Sequence, residues 1–222
     1  HARIIGMHVV VNAAMSVDGK LAARTREQLA ISGPEDFDRV DRIRAAADGV
    51  MVGVGTVLAD DPHLTLDVTD RRVQRQRHGR PGNPARVVAD SMARTPPDAR
   101  LLDDEAATYI VVVEDAPEER RTALAEAGAK LIVGGDERVD IATAIDRLAD
   151  EEIDRLMIEG GGELIYSAFA AGRVDELSVF VGSKIIGGRD APTLADGEGF
   201  VDEFPVLILD DIERSDDGVV LH

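Results

Sequence analysis

The chain has 222 residues, of which 44 % are hydrophobic and 3 % aromatic, and it contains no cysteine or tryptophan. This length allows one domain with a sizeable core, which must be built from Val, Ile, Leu and Ala, and the absence of cysteine excludes disulfides and thiolate metal sites. The net charge of −18, from 43 acidic and 25 basic residues, argues against nucleic acid as a partner, because phosphate binding needs a basic surface.

The acidic residues are spread over every segment and do not form a tail. Two interpretations remain, an acidic interaction surface and adaptation to very high salt. The even spread favours the second, because molar salt screens self-repulsion within a few ångströms. We also expect a cytoplasmic protein, since no leader pattern opens the chain and no apolar run approaches the ~18 residues of a membrane span.

Strand-like and helix-like segments alternate along the first half of the chain. The apolar run 7–15 predicts a strand, and 34–47, which begins with a proline, predicts a helix. Further strands are predicted at 48–55 and 85–90. Residues 67–84 are rich in Arg, Gly and Pro and follow neither periodicity, so we predict a long surface loop. Its basic side chains either attract a phosphorylated ligand or are simply solvated.

The second half continues the alternation and ends differently. We predict strands at 107–113, 129–133, 155–160 and 175–182, and helices at 117–128, at 139–153 and directly after residue 160. Residues 204–222 predict two strands around a polar turn, an antiparallel hairpin. The predicted fold class is α/β in three layers, with a mostly parallel sheet and an antiparallel C-terminal hairpin. We expect residues 1–222 to form a single domain.

Three glycine-bearing turns follow predicted strands, at 52–65, 133–140 and 158–169. In a parallel sheet such turns form a crevice at the carboxyl ends of the strands, where α/β proteins bind ligands. Helix N-termini there present free amides to anions, such as the diphosphate of a dinucleotide. Neither a G-x-G-x-x-G fingerprint after the first strand nor a G-x-x-x-x-G-K-[ST] loop occurs. The pattern predicts a nucleotide-binding α/β protein and leaves the reaction open.

Five segments, taken in order, resemble one family. They are NAAMSVDGKLA (12–22), ISGPEDFDRVDRIRAAADGVMVGVGTVLADDPHLT (31–65), ARVVADS (85–91), IEGGGELIYSAFAAGRVDELSVFVGSKIIGG (158–188) and APTLADGEGF (191–200). The family is that of the archaeal 2,5-diamino-6-ribosylamino-4(3H)-pyrimidinone 5′-phosphate reductases, which are similar to the C-terminal reductase domain of the bacterial riboflavin deaminase-reductase. The resemblance runs from about residue 7 to the C-terminus, with gaps mainly in 67–84 and 98–155.

The resemblance implies a dihydrofolate-reductase-like fold and a homodimeric enzyme. It would use NADPH, or also NADH, to reduce the ribosyl group of the pyrimidine phosphate to a ribityl chain in riboflavin biosynthesis. The cofactor-binding positions implied by the resemblance are Ala14, Thr56, Asp60, Asp90, Ser91, Gly161, Gly162, Glu163, Leu164 and Ile165. The implied substrate-binding positions are Gln28 and Arg44 on the phosphate side, and Leu64 and Glu159 on the rest of the substrate.

Two carboxylates are candidates for the catalytic acid or base. Hydride transfer is the chemistry of the cofactor, so the protein mostly positions the reacting atoms, but a proton must also move when the sugar ring opens. Glu159, at a strand end beside apolar residues, is the first candidate because burial favours a protonated carboxyl. Asp60 is the second. The alternatives are that Glu159 only hydrogen-bonds substrate hydroxyls and that Asp60 only caps its helix or holds the cofactor.

Two positions depart from the bacterial relatives in this resemblance. Asn12 stands where those enzymes carry a lysine thought to help open the sugar, and Asp67 stands where they carry a phosphate-binding arginine. The phosphate contact would then come from elsewhere, for example from the arginines of 67–84. We expect no metal, since the carboxylates of 59–62 fit a capping and turn role and the histidines have no metal spacing.

Two other functions stay open from the sequence. One is an NADPH-dependent pterin or dihydrofolate-type reductase, against which the match at Gln28, Arg44 and Glu159 argues, because these positions belong to the substrate side. The other is a non-catalytic nucleotide-binding protein, which would bind NADPH without turnover.

Overall fold

The computed structural model describes residues 6–25 and 29–222. The strands of these residues form one nine-stranded sheet in the order β5-β4-β3-β2-β6-β1-β7-β9-β8. Their bounds are β1 (His8–Ser16), β2 (Gly49–Gly53), β3 (Ala85–Ala89), β4 (Thr108–Val112), β5 (Lys130–Val133), β6 (Arg155–Gly160), β7 (Glu176–Gly182), β8 (Ile212–Ser215) and β9 (Gly218–Leu221). Strands β1 to β7 pair in parallel, whereas β9 pairs antiparallel with both β7 and β8.

Helices cover both faces of this sheet. They are α1 (Pro34–Ala46), α2 (Val54–Asp60), α3 (Thr69–Arg77), α4 (Glu118–Glu126), α5 (Ile141–Ala149) and α6 (Gly162–Ala170). Apolar side chains of α5 and α6 pack on one face, and those of α1, α2 and α4 pack on the other. This is a three-layer α/β fold with a mostly parallel sheet, which confirms the predicted class. None of the helices in the described residues is long and apolar enough to cross a membrane.

The central strands are almost continuously apolar because helices cover both of their faces. In β2, Met51 packs into one core cluster, and its neighbours Val50 and Val52 pack into the other. Strand β6 follows the same alternation with Met157 and Ile158. The carboxyl ends of these parallel strands therefore lie together at one edge of a rigid layer, where loops can carry polar groups.

Helix α5 shows how the sequence sets both the start and the buried face of a helix. Asp140 precedes its first residue and accepts a hydrogen bond from the Thr143 backbone N–H (2.7 Å), as an N-cap residue does. This hydrogen bond also lowers the pKa of the Asp140 carboxyl. The buried positions follow the helical spacing: Ile141, Ala144, Ile145 and Leu148.

Replacing Asp140 with alanine should lower the free energy of unfolding by about 1 kcal/mol, because one backbone amide of α5 loses its acceptor. The pKa of Asp140 is depressed in the folded state, so this contribution is present above the unfolded-state pKa and is lost as the pH falls through the folded value. Urea unfolding at neutral and acidic pH measures both effects. Asp136→Ala, an exposed carboxylate in the preceding loop, is the matched control, and an equal loss there would contradict the capping role.

The prediction of a long surface loop at 67–84 is wrong, because α3 occupies Thr69–Arg77. This helix packs on α1 through guanidinium groups and carbonyl oxygens. The buried Arg75 donates to the carbonyl oxygens of Ala45 and Ala47 at the end of α1 (2.8 and 2.6 Å), and burial lowers its pKa to about 10. Basic side chains commonly satisfy the last carbonyls of a helix, but such an interface leaves no apolar periodicity in the sequence.

The C-terminal hairpin is shorter than predicted from 204–222. Strands β8 and β9 form it, but residues 204–211 form no strand. The apolar run 206–209 is exposed instead, and Val206 and Ile208 have 89 % and 90 % of their surface accessible. The hairpin prediction therefore holds only from residue 212 onward, and an apolar segment lies uncovered beside it.

Candidate active site

A cleft of about 1090 Å³ opens at the carboxyl ends of the parallel strands. Gly53, Ala89 and Gly160 end β2, β3 and β6, and all three line it. This is the edge at which the glycine-bearing turns predicted a crevice. Pockets for single small ligands usually measure about 300–1,000 Å³, so the cleft has room for a cofactor together with a small substrate.

The turn between β6 and α6 contains three consecutive glycines, and a side chain is disfavoured at each of them for one of two reasons. Gly160 and Gly161 have φ angles of 154° and 91°, which residues with a side chain rarely adopt. At Gly162, a Cβ atom would overlap the carbonyl oxygen of Thr193 and the carboxylate of Asp196. Within the part of the chain that the structure describes, no side chain caps α6, so its first amides are available to an anion in the cleft.

Glu159 is placed by an irregularity in the sheet. Met51 of β2 pairs with Ile158 of β6, but the next residue, Val52, pairs with Gly160. Glu159 is thus an extra residue in β6, a β-bulge of the kind that redirects a side chain beside an active site. Its side chain lines the cleft, directly before the glycine turn.

The Glu159 carboxylate is held by Arg44 from α1. The guanidinium donates to both carboxylate oxygens, from Nε to Oε1 and from Nη2 to Oε2, the latter over 2.7 Å. Nη1 of Arg44 donates in addition to the Thr65 carbonyl oxygen (3.1 Å). Burial opposes the charge of Arg44, but the charge and hydrogen bonds of Glu159 outweigh it and raise the Arg44 pKa above its ordinary value. The pair is a bidentate ion pair in a mostly buried setting, with a geometry fixed from three sides.

Helix α2 brings Thr56 and Asp60 to the cleft. It begins after Gly53, directly at the end of β2. Asp60 is exposed on the cleft wall, and the partial loss of water around its carboxyl raises its pKa. A raised pKa favours the protonated carboxyl, which is the form in which a general acid acts.

The turn after β3 holds Asp90 and Ser91, both predicted to bind the cofactor, in different surroundings. Ser91 lines the cleft, and its hydroxyl accepts a hydrogen bond from the Val139 backbone N–H (3.0 Å). Asp90 is fully buried, and its Oδ2 accepts from both the backbone N–H and the hydroxyl of Thr95 (2.7 and 2.8 Å). The Asp90 side chain therefore shapes the turn, whereas Ser91 faces the ligand space.

The cleft brings together most of the site residues predicted from the sequence. Those that line it are Ala14, Thr56, Asp60, Ser91, Glu159, Gly161, Gly162, Glu163 and Leu164. Arg44 stands behind Glu159, and Leu64 and Ile165 belong to the apolar core. Gln28 lies outside the described residues. The binding roles of all these residues stay predictions.

Several cleft residues were missed or only touched upon in the sequence reasoning. Arg138 lies in the second glycine turn, and Asp196 and Pro192 come from the segment after β7. Phe37 and Ile31 form an apolar end of the cleft near α1. The glycine turn at 133–140 was a usable signal for Arg138, whereas nothing local marks the others, because they reach the cleft only through the tertiary fold.

Asn12 and Asp67, the two departures from the bacterial pattern, occupy different surroundings. Asn12 on β1 is only 5 % exposed, and its Oδ1 has no hydrogen-bond partner in the part of the chain that the structure describes. Asp67 lies on the α1 side, where its backbone N–H donates to Asp41 (2.7 Å). Three arginines of α3 have partners there as well: Arg71 pairs with Asp41 (2.6 Å), Arg72 donates to the Leu66 carbonyl oxygen, and Arg75 donates to the end of α1. These three arginines are therefore not free to bind a substrate phosphate.

Away from the cleft, His63, Asp103 and Glu105 have potential ligand atoms close together. Asp103 is already paired with the guanidinium of Arg86 (2.6 Å). The positive charge of this guanidinium repels a metal cation at such a distance. We therefore interpret the cluster as an ion-pair network.

The fold and the cleft define an α/β protein with a dinucleotide-sized site at the carboxyl edge of a parallel sheet. The model of the RibD C-terminal domain matches residues 7–221, and the chain belongs to this family. Its fold is accordingly of the dihydrofolate-reductase-like type.

Full-length relatives agree with this assignment. A 2,5-diamino-6-ribosylamino-4(3H)-pyrimidinone 5′-phosphate reductase of Methanothermobacter thermautotrophicus is 48 % identical over 209 residues, which is 94 % of this chain and 92 % of the relative. The enzyme of the same name from Archaeoglobus fulgidus is 45 % identical over 211 residues, covering 95 % and 94 %. The relatives are thus reductases, a class expected to use a nicotinamide cofactor.

Solved structures share the fold at lower identity. A pyrimidine reductase-like protein from Corynebacterium diphtheriae superposes with a TM-score of 0.82 at 21 % identity, covering 97 % of this chain and 90 % of that one. The yeast riboflavin biosynthesis reductase Rib7 superposes with a TM-score of 0.70 at 19 % identity, covering 100 % and 90 %. At such identities the likeness concerns the fold.

Proposed function

We propose that this protein reduces the ribosyl group of 2,5-diamino-6-ribosylamino-4(3H)-pyrimidinone 5′-phosphate to a ribityl chain, in riboflavin biosynthesis. Relatives with this name align along nearly the whole chain. The observation that carries the proposal is structural: Glu159 and the glycine turn that follows it open into the same cleft. One strand end thereby offers a carboxylate for the substrate and free helix amides for the cofactor diphosphate.

NADPH is the proposed cofactor, with NADH as the alternative. When bound, it supplies the hydride that is added to C1′ of the opened sugar. The residues fit such a group: no described side chain caps the first amides of α6, and Thr56, Ser91 and Glu163 line the same cleft. The turn of Gly160 and Gly161 keeps side chains away from this place, which allows a phosphate to approach the backbone.

Glu159 and Asp60 have different tasks in this proposal. Both oxygens of Glu159 accept hydrogen bonds from Arg44, which fixes the direction of this carboxylate and suits it to orient substrate hydroxyls. Asp60 has no hydrogen-bond partner for its side chain among the described residues, lies on the cleft wall and has a raised pKa. We therefore assign the proton donor of the ring opening to Asp60 and the positioning of the sugar to Glu159 with Arg44.

The test is a direct assay. Purified protein is mixed with NADPH and the ribosylamino-pyrimidine phosphate in molar KCl, and the nicotinamide absorbance is followed. We expect substrate-dependent oxidation of NADPH. Binding of NADPH without oxidation by this substrate overturns the proposed reaction and favours a non-catalytic nucleotide-binding protein, whereas oxidation with dihydrofolate instead favours a pterin-type reductase.

The environment of the protein also belongs to the proposal. We propose a cytoplasmic enzyme of a high-salt habitat, because 43 acidic residues against 25 basic ones repel each other strongly unless salt screens them. The salt dependence of the urea midpoint tests this point. The midpoint should rise with KCl up to molar concentrations.

A homodimer is proposed as well, formed through the exposed apolar segment 206–209. Val206 and Ile208 expose 89 % and 90 % of their surface, and the segment lies next to β9, where the Asp210 N–H donates to the His222 carbonyl oxygen (2.8 Å). A contiguous exposed apolar run of this kind marks an interaction surface. A second copy would bury it by a symmetric contact.

Ile208→Asp should convert the dimer to a monomer, because a charge at the centre of an apolar interface is left without a partner. Sedimentation velocity in molar KCl measures the change. Val133→Asp places the same charge on β5 at the opposite edge of the sheet and should leave the dimer intact. A dimer that survives Ile208→Asp, or a wild type that is monomeric, contradicts this interface.

A further inference from the structure

We infer that Asp216, in the turn between β8 and β9, is a positioning residue that fixes segment 29–33 as the substrate-side wall of the cleft. This segment leads into α1, and four of its residues line the cleft: Leu29, Ala30, Ile31 and Ser32. The role rests on the proposed function insofar as the ligand beside the segment is taken to be the pyrimidine phosphate.

The first amides of α1 receive their acceptor from the C-terminal hairpin. Gly33 is the N-cap residue of α1 and has no side chain that could accept from them. The carboxylate of Asp216, 183 positions further along the chain, fills this role. Its Oδ2 accepts from the N–H groups of Gly33 and Asp36 (3.1 and 3.0 Å), and its Oδ1 accepts from that of Glu35 (3.2 Å). In return, the Asp216 N–H donates to Glu35 Oε2 (2.7 Å). The arrangement is a capping box whose cap comes from a distant part of the chain.

A cap from the hairpin attaches the start of α1 to another element, which a local cap would not do. A serine or aspartate at position 33 could satisfy the same amides. Instead, Gly33 lies so close to the hairpin that a Cβ atom there would overlap the Asp216 carboxylate. Loss of water opposes the charge of this carboxylate, but the three backbone hydrogen bonds outweigh it and lower the Asp216 pKa. The charged form, which also suits the positive end of a helix, is therefore the one that holds α1.

Segment 29–33 packs on the same hairpin. Ile31 is buried in a small core cluster with Phe180 of β7 and Val220 of β9. The approach to β7 is close, because a Cβ atom at Gly182 would overlap the Ile31 carbonyl oxygen. The segment is thus seated on β7 and β9 by apolar contacts, and Asp216 supplies the polar attachment at its end.

The segment lies on the side of the cleft that the proposed cofactor does not need. In the sheet order, β7 and β9 lie on one side of β6, whereas β2 and β3 lie on the other. Thr56 and Ser91, two of the predicted cofactor residues, follow β2 and β3. A dinucleotide that binds at the glycine turn and extends toward Thr56 and Ser91 leaves the side of segment 29–33 to the substrate.

Helix α1 has further attachments, so the loss of Asp216 should affect the segment before the helix more than the helix itself. The buried Arg39 donates to the Ser178 hydroxyl of β7. Near the end of the helix, Arg44 holds Glu159. Release of the hairpin therefore leaves the Glu159 carboxylate in place and loosens one wall, which should change substrate binding and not the chemical step.

The test removes the carboxylate and then restores a cap that is not attached to the hairpin. Asp216→Gly keeps the turn, because Asp216 has a φ of 49° and glycine adopts such angles freely. Adding Gly33→Asp supplies a local N-cap at a position with an extended backbone. Asp217→Gly is the matched control in the same turn, since the Asp217 carboxylate accepts from the Ser183 hydroxyl (3.1 Å) and not from α1.

Asp216→Gly should raise the KM for the pyrimidine phosphate by about 5-fold or more, because the substrate must then order a loose wall. The kcat and the Kd for NADPH should change by less than about 2-fold. The double variant Asp216→Gly, Gly33→Asp should recover the urea midpoint and keep the raised KM, whereas Asp217→Gly should leave the KM unchanged. If the KM and the midpoint follow each other across the variants, capping of α1 explains both and the positioning role is overturned. An unchanged KM in Asp216→Gly, or an equal loss of NADPH affinity, overturns it as well.

A fluorescent reporter separates this role from the proposed reaction. The chain contains no tryptophan, so Leu29→Trp places a single one in segment 29–33. Its fluorescence anisotropy should fall when Asp216→Gly is added, stay low after the further addition of Gly33→Asp, and remain high with Asp217→Gly. If the anisotropy follows this order but the wild type does not act on the pyrimidine phosphate, the attachment by Asp216 stands and the proposed reaction fails. An anisotropy that is unchanged in Asp216→Gly, or that recovers with the local cap, overturns the attachment.

Discussion

Asp60→Asn should lower kcat by about 10²-fold or more and leave the affinity for NADPH within a few-fold of the wild type. The asparagine keeps the size and polarity of the side chain but cannot donate a carboxyl proton to the opening sugar. Stopped-flow single-turnover measurements of NADPH oxidation test whether this proton transfer limits the reaction. Asp115→Asn, an exposed carboxylate outside the cleft, is the matched control.

The pH profile gives a second readout of the same role. Partial burial raises the pKa of Asp60, and a general acid acts in its protonated form. The rate should therefore fall as the pH rises through this raised pKa, and this limb should be absent in Asp60→Asn. If Glu159→Gln abolishes the limb and lowers kcat by about 10²-fold while Asp60→Asn does neither, the proton donor is Glu159. A Glu159→Gln effect confined to KM leaves Glu159 as the positioning residue that we propose.

Arg44→Met should destabilise the fold by about 3 kcal/mol, because it leaves the mostly buried carboxylate of Glu159 without its partner. The side chains of Arg44 and Glu159 are 19 % and 9 % exposed, so water replaces little of the lost interaction. The double variant Arg44→Met, Glu159→Gln should recover part of the stability, since it removes the unpaired charge. Urea unfolding of the four forms measures the coupling.

A control for this double-mutant comparison is available on the same helix, α1. Arg42 pairs with Asp38, but both side chains are exposed, at 59 % and 44 %, so Arg42→Met should change stability little. If Arg44→Met is as mild as Arg42→Met, the Arg44–Glu159 pair does not hold the site together. If the double variant is no more stable than Arg44→Met, the penalty does not come from an unpaired carboxylate.

The sequence predicted the sheet and the cleft well because both depend on short-range patterns. Continuous apolar runs mark strands that are covered on both faces, and glycine turns mark the edge where parallel strands end. Helix α3 was missed because its contacts are made by Arg75 and carbonyl oxygens, which leave no apolar stripe. The apolar run 206–209 was predicted as a strand because its composition is typical of one. Whether another strand lies beside it and pairs with it is decided by the tertiary fold, which the local sequence does not reveal.

The arrangement within the site was harder to predict. Arg44 and Glu159 are 115 positions apart, and nothing local shows that they meet. The same holds for the extra residue in β6, which depends on how β2 and β6 align. Asp90 and Ser91 are neighbours in the sequence, yet one is buried and the other lines the cleft, because Asp90 accepts hydrogen bonds from Thr95 within the turn.

The bulge at Glu159 has a consequence for the thermodynamics of the enzyme. The extra residue lies between Ile158 and Gly160, which pair with Met51 and Val52 of β2, so one strand end carries both the Glu159 carboxylate and the glycine turn. A dinucleotide at the glycine turn and a pyrimidine phosphate at the carboxylate would therefore contact the same strand end. Linkage then requires reciprocity: whatever factor the dinucleotide applies to the affinity for the pyrimidine phosphate, the pyrimidine phosphate applies to the dinucleotide.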